Sequence, residues 1–217
     1  MDIQVTVRTP QSANRNMQLD QALLENKNGA FLEFHRWEKP SFTHGYFIDP
    51  LDEFIFSEKI DIAKRATGGG ILYHGKDLSF ALCLPDSHPL CESDTMRLYE
   101  KLNQLIGRAI LDVHDCKISS EPEKEFSFQD PFCMTKATKF DLTVFDKKVL
   151  GCAIRRKGGR TLYHCSIPLQ MPVAEELTPF LKRGDALVEK ILKNTYAIDS
   201  DWNQLRERIQ EHVTKNG

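Results

Sequence analysis

Lys64-Arg-Ala-Thr-Gly-Gly-Gly-Ile-Leu-Tyr-His74 sets an arginine and three consecutive glycines between two apolar, strand-like runs. Glycine has no Cβ, so the chain can bend freely here and a ligand can lie directly against the main chain. Three glycines in a row cost conformational entropy on folding, and two readings account for them. One is a loose hairpin turn joining two strands. The other is a cradle of backbone N–H groups closing on a bound group. No Gly-Lys-Ser/Thr follows the glycines, which removes a phosphate-binding P-loop from consideration. The rest of the chain decides between the two.

Working outward, Ile62–Thr67, Ile71–His74 and Leu78–Leu84 are three adjacent strand-like runs with tight connections, which predicts antiparallel pairing among them. Upstream, Asn14–Glu25 reads as a helix with Leu19, Ala22 and Leu23 on one face and Ser12 or Asn14 as the cap. Phe31–Trp37 and Ser41–Phe47 read as strands. Downstream, Asp94–Val113 is the clearest helix. Tyr99, Leu102, Leu105, Ile106, Ala109, Ile110 and Val113 repeat at three and four residues, behind a Ser93 cap. Ser119–Asp130 is polar and acidic and reads as an excursion.

A meander follows. Phe140, Leu142 and Val144 alternate with polar residues, Asp146-Lys147 turns the chain into Lys148–Arg156, and Gly158-Gly159 turns it again into Thr161–Ile167. The tail carries two helical stripes, Leu187, Val188, Ile191 and Leu192, then Trp202, Leu205, Ile209 and Val213. This order predicts an α+β fold with a mixed, largely antiparallel sheet flanked by helices, in one domain over residues 1–217.

Composition bounds the function. With 217 residues the chain can bury a substantial core. A net charge of −2 with interspersed signs argues against a broad nucleic-acid-binding surface. No apolar run reaches the length of a membrane span, and the N-terminus lacks a signal pattern, so the expectation is a cytoplasmic protein away from the membrane. The six cysteines form no C-x-x-C pair and should be thiols. No tightly bound cofactor and no metal site are expected.

Six segments occur in an informative order: Asn16-Met-Gln-Leu-Asp-Gln-Ala-Leu23, Arg36-Trp-Glu-Lys-Pro40, Arg65-Ala-Thr-Gly-Gly-Gly70, His74, Lys148-Val-Leu-Gly-Cys-Ala153 and His164-Cys-Ser-Ile167. Together they resemble the lipoate-protein ligase A and octanoyltransferase family, whose catalytic domain is shared with biotin protein ligases. The resemblance runs from about Asn16 to about Ile167. It implies attachment of an eight-carbon acyl group, lipoyl or octanoyl, to a lysine of a lipoyl carrier domain. Such carriers are the E2 subunits of 2-oxoacid dehydrogenases or the H protein of glycine cleavage. A biotin ligase is disfavoured, because Thr67-Gly-Gly-Gly70 replaces the glycine-arginine-rich biotin loop.

The resemblance also implies roles. Lys148 is the catalytic lysine at the activated carbonyl. Arg65, Thr67, Gly68, Gly69, Gly70, His74, Gly151, Ala153 and His164 bind or frame the substrate, with His74 and His164 in support rather than in acid–base catalysis. The chemistry fits independently of the resemblance. An acyl chain needs an apolar tunnel, which Ile71, Leu72, Phe80 and Leu82 can line. The acyl head needs backbone N–H groups and positive charge, which the glycines, Arg65 and Lys148 can offer. The bland alternative for Lys148 is an exposed hairpin lysine, which suits its neighbour Lys147 better.

The family divides into two chemistries. Ligases activate free lipoate with ATP and Mg2+ and usually show Asn-Asp-Leu or Asn-Asp-Ile ahead of the lysine. Here that position reads Lys139-Phe140-Asp141-Leu142, without the asparagine. Cysteine-type transferases show Cys-Phe-x-x-Pro-Ser-x-Tyr-Glu-Leu, and Cys133-Met-Thr-Lys-Ala-Thr-Lys-Phe-Asp-Leu142 keeps that spacing. Gly70 departs from the transferases, which tend to carry arginine there. Cys133 is therefore the candidate nucleophile, since a thiolate both attacks and leaves readily; its alternative is a buried structural thiol.

The transferase reading expects a thioester donor such as acyl carrier protein, and needs no accessory domain. The ligase alternative expects a separate accessory subunit, because the chain ends too early to contain that domain. A non-catalytic carrier-binding protein is the third reading, opposed by Lys148, the glycines and His74. Arg155, Arg156, Lys157 and Arg160 can meet an acidic carrier face, or can simply be a solvated hairpin tip.

Overall fold

Apolar residues recur at every second position of the run Leu78, Phe80, Leu82, Leu84, and this strand is the centre of the main sheet in the computed structural model, which describes residues 2–25, 28–120 and 131–215. In chain order the elements are β1 (Ile3–Val7), α1 (Ala13–Glu25), β2 (Ala30–His35), β3 (Ser41–His44), β4 (Asp61–Lys64), β5 (Leu72–His74), β6 (Asp77–Pro85) and α2 (Thr95–Leu111). Then come β7 (Thr143–Val144), β8 (Lys147–Lys148), β9 (Gly151–Lys157), β10 (Arg160–Pro168), α3 (Ala174–Leu177), α4 (Gly184–Asn194) and α5 (Trp202–Lys215). The excursion expected at Ser119–Asp130 falls largely at 121–130, outside the described residues.

The main sheet runs β1-β2-β6-β10-β9. Its β1–β2 edge is parallel and every other pair is antiparallel, so the mixed, largely antiparallel sheet flanked by helices is what the chain forms. The alternating stripe of β6 joins Leu102, Leu105, Ile106, Ala109 and Ile110 of α2 and Leu205, Ile209 and Val213 of α5 in one core. Ala81, Cys83 and Leu162 meet Leu23 and Leu24 of α1 on the other face. Asp94, rather than Ser93, caps α2 by accepting from Arg97 N at 2.8 Å. On α1, the buried face is Ala13, Asn16, Met17, Asp20, Leu23 and Leu24, and Ala22 is exposed.

The three strand-like runs around the glycines do not pair with each other as expected. β4 and β5 occupy opposite edges of β3, the first parallel and the second antiparallel, while β6 belongs to the main sheet. To pass from one edge of β3 to the other, Arg65–Ile71 wraps over its end. There Tyr46 N donates to Thr67 O at 3.0 Å. A Cβ on Gly45 would collide with the Gly69 carbonyl oxygen. The glycine run is a crossover, not a hairpin turn.

The strand expected through Phe140, Leu142 and Val144 shrinks to Thr143–Val144, because Phe140 sits at φ 69°, outside extended geometry. The turn lies at Phe145-Asp146, both at positive φ, one residue earlier than expected. Val149 and Leu150 separate β8 from β9, so Lys148–Arg156 is not one strand. The Gly158-Gly159 hairpin forms as expected, with φ values of 61° and 77°. Beneath the small sheet, Phe42, Ile71 and Phe132 pack on Leu187, Val188 and Ile191 of α4. Among the described residues no helix is long and apolar enough to cross a membrane.

Candidate active site

Lys148 ends β8, held by its pairing with Thr143 and by Tyr196 N donating to its carbonyl at 2.9 Å. Its side chain is buried, and its Nζ donates to Asp141 Oδ2 at 2.7 Å and reaches Cys133 Sγ at 3.4 Å. Asp141 is fully buried and fully engaged. Its Oδ1 accepts from Tyr99 OH at 2.7 Å, and its Oδ2 also accepts from Thr138 N at 2.6 Å and Thr138 Oγ1 at 2.8 Å. Burial opposes the Lys148 ammonium, but Cys133 and Asp141 more than offset it and raise its pKa above the ordinary lysine value. The lysine is thus a cation at neutral pH, aimed at the sulfur. Burial, followed by the neighbouring Cys152 and Asp141, raises the Tyr99 pKa well above normal, so it remains a donor.

Cys133 opens a short 3-10 turn whose backbone is stitched to the glycine run. Ile71 N donates to Pro131 O at 2.7 Å, and Cys133 N donates to Ile71 O at 2.9 Å. This approach accounts for Gly70, where a Cβ would collide with the Pro131 carbonyl and crowd Cys133 N. Gly69 takes a φ of 85°, and Gly68 faces open space. Gly151 has no room for a Cβ against Leu72, and Ala153 lies beside Gly69.

Arg65 is committed to the loop itself. Its guanidinium donates to Thr43 O and Thr43 Oγ1, each at 2.8 Å, and to the carbonyls of Gly68 and Gly70. Burial pushes its pKa down to about 10, with Cys133 acting the other way, so it stays charged near the sulfur at neutral pH. Thr43 Oγ1, already an acceptor from Arg65, can donate to His74 Nε2 at 2.7 Å, which leaves His74 Nδ1–H facing Asp77 Oδ2 at 2.9 Å. Burial lowers the His74 pKa despite Asp77, and the neutral ring stacks on Trp37 at 4.2 Å.

His164 sits in β10 opposite Ala153, with Nδ1 2.9 Å from Thr67 Oγ1 and Nε2 3.0 Å from Asp20 Oδ2. Asp20 is buried on α1 and also faces His35 Nε2 at 3.0 Å and Arg8 at 2.8 Å. Burial alone would raise its pKa, yet His35 and His164 hold it well below the usual carboxylate range. Asp20, Asp141 and Tyr99 are site residues the motif reading did not single out. A carboxylate on the apolar face of α1 was the signal for Asp20, and the Phe140-Asp141-Leu142 motif was the signal for Asp141.

Cys133 stands between two spaces. Inward is a narrow pocket of about 20 Å3, room for one water molecule, lined by Met17, Trp37, Leu72, His74, Phe80 and His164. Outward is a cleft of about 370 Å3 lined by Ile48, Gly69, Gly70, Lys136, Thr138 and Lys148. Cys133 and Cys152 border both. Of the four residues expected to line a tunnel, Leu72 and Phe80 do, Ile71 borders a separate cavity, and Leu82 packs in the main core.

The basic hairpin is largely structural. Arg155 donates to Ala66 O at 2.6 Å, Arg156 to Ser93 O at 2.7 Å, and the buried Arg160 to Gly29 O at 3.1 Å. Three of the four cations expected to meet a carrier therefore brace the fold, and Lys157 is the exposed one. All six cysteines are free thiols.

The chain is 30% identical over 196 residues to octanoyltransferase LipM of Oceanobacillus iheyensis, covering 87% of this chain and 71% of that relative. It is also 30% identical over 172 residues to octanoyltransferase LipM of Carboxydothermus hydrogenoformans, covering 75% of this chain and 63% of that protein. In fold it is similar to the bi-partite lipoate protein ligase of Thermoplasma acidophilum, whose structure was analysed with its E2 lipoyl domain. That TM-score is 0.77 at 18% identity, covering 100% of this chain and 84% of the other, and it speaks to fold alone. Residues 12–216 match the lipoyl protein ligase A/B catalytic domain, and the chain belongs to that family of protein-lipoylation enzymes.

Proposed function

We propose that this chain is a cysteine-dependent octanoyltransferase, working as one catalytic unit that passes an octanoyl group from a thioester donor to the lysine of a lipoyl carrier domain. The observation that carries this reading is the 3.4 Å approach of Lys148 Nζ to Cys133 Sγ. In the first half-reaction the Cys133 thiolate attacks the donor carbonyl. The tetrahedral oxyanion forms beside the Lys148 ammonium, and the donor thiolate leaves with the electron pair of the broken C–S bond. One thioester replaces another, so the step is close to thermoneutral.

In the second half-reaction the neutral amine of the carrier lysine enters through the outer cleft and attacks the Cys133 thioester. An amide forms, the cysteine thiolate is released, and the amine loses its proton to solvent. Lys148 stabilises charge in both tetrahedral states and, being held as a cation by Asp141, needs no reorganisation between them. The inner pocket takes the apolar chain and must widen to do so, while the glycine loop positions Cys133. The name shared by the two sequence relatives supports octanoyl as the group. The E2 lipoyl domain studied with the archaeal neighbour supports lipoyl domains, of E2 or H-protein type, as acceptors.

The test is an incubation with an apo lipoyl domain and three alternative donors: octanoyl acyl carrier protein, lipoate plus ATP and Mg2+, and an octanoylated carrier domain. Transfer from octanoyl acyl carrier protein without ATP is the expected result, and transfer only from the octanoylated carrier domain, an amide, would contradict the thioester donor. Modification only with lipoate, ATP and Mg2+ would make the enzyme a ligase instead.

A further inference from the structure

Behind the site, on the opposite face of β5, lies a second cavity of about 150 Å3. The alternation of β5 separates the two spaces: Leu72 and His74 face the inner pocket, while Ile71 and Tyr73 line the cavity. The turn carrying the sulfur touches both sides, since Cys133 borders the inner pocket and the outer cleft, Met134 lines the cavity, and Phe132 lines both the cavity and the cleft. Ile191 of α4 closes another side.

Lys76, Gln170 and Glu176 also border the cavity, and two further lining residues, Thr195 and Asp77, bring buried polar atoms to it. Thr195 is buried, and its Oγ1 has no hydrogen-bond partner among the described residues. Asp77 Oδ2 accepts from His74, Ser79 and Ser166, yet its buried Oδ1 also has no partner among the described residues. A buried hydroxyl or carboxylate oxygen without a partner costs about 1–3 kcal/mol. Two at one cavity mark where a ligand donor would be satisfied. A cavity of this size holds a benzene-sized molecule.

The position links the cavity to both reactive side chains. Thr195 bridges to Lys148, and Phe132 bridges to Ile71 beside Cys133. We propose that this cavity is an effector site for a small uncharged apolar molecule with one hydroxyl or amide N–H, whose occupancy alters the reactivity of Cys133. The ligand packs on Phe132, Met134 and Ile191 and gives its polar hydrogen to Thr195 Oγ1. The proposal goes beyond acyl transfer and holds whether the enzyme is a transferase or a ligase.

The experiment uses the whole chain with 13C-methyl methionine labelling, titrated with phenol, and with benzene as the donor-free control. Saturable movement of the Met134 methyl signal, with Met17 of the inner pocket unmoved, is the expected result. Phenol should bind more tightly than benzene, and Thr195→Val should weaken phenol by about fivefold, the loss of one hydrogen bond. Ile191→Phe, which fills the cavity, should abolish the shift, with retained circular dichroism reporting that the variant folds. At saturating phenol the rate of Cys133 alkylation by iodoacetamide should change by at least about twofold, a shift of a few tenths of a kcal/mol. No saturable shift, movement of Met17 in place of Met134, equal binding of phenol and benzene, or an unchanged alkylation rate would each overturn the proposal.

Discussion

Lys148 Nζ lies 3.4 Å from Cys133 Sγ while its other contact, Asp141 Oδ2, lies at 2.7 Å, so a single buried ammonium spans the proposed nucleophile and its own counter-ion. Asp141 keeps the lysine charged and pointed. Tyr99 and Thr138 keep Asp141 in place. What reaches the sulfur is a cation of fixed position.

Lys148→Ala should therefore lower the transfer rate by about a hundredfold to a thousandfold, the usual cost of removing one preorganised charge at an oxyanion. Asp141 retains its bonds from Tyr99 and Thr138, so the loss of stability should lie near about 3 kcal/mol, the low end for a broken buried ion pair. Turnover and the thermal midpoint measured together separate the two effects. Near-normal turnover would make Lys148 a bystander.

The glycines should not be equivalent. Gly70→Ala pushes a Cβ into Pro131 O and Cys133 N and should displace the cysteine, costing most of the activity. Gly68→Ala meets nothing within 4 Å and has no positive φ to strain it, so it should stay within about twofold of the parent. Equal activity of the two variants would contradict the stitched geometry.

Acid should destabilise the protein through its buried histidines. His44, His74 and His164 all have pKa values lowered in the fold, with burial the leading cause in each. The unfolded chain then binds protons first. Their contribution is fully present above the unfolded value of about 6.5 and is lost as pH falls from there through the folded values. Denaturant midpoints from pH 8 to 5 should fall progressively below about pH 6.5. His74→Gln should flatten that slope, and a slope unchanged by the substitution would exclude His74 from the transition.

Local chemistry made much of this legible beforehand. The three-and-four spacing of α2 is a property of one segment, and the spacing between Cys133 and Lys148 is fixed along the chain. What escaped depends on partners distant in sequence. Whether β4 pairs with β3 or with β5 is decided by which edge of β3 is free, and no local pattern encodes that. The work of Arg65 is equally non-local, because its acceptors include Thr43 as well as its own loop. Arg160 reads as a hairpin-tip cation and is instead buried beside Gly29. Asp20 gains its meaning only when Arg8, His35 and His164 converge on it.

The most direct measurement is intact mass of the enzyme after brief exposure to an octanoyl thioester donor without acceptor. One hydroxylamine-labile octanoyl group should appear, should map to Cys133, and should leave on addition of apo lipoyl domain; Cys133→Ala should neither acquire it nor transfer it. An unmodified Cys133 in an enzyme that still modifies the lipoyl domain, or a Cys133→Ala variant with full activity, would contradict the cysteine mechanism.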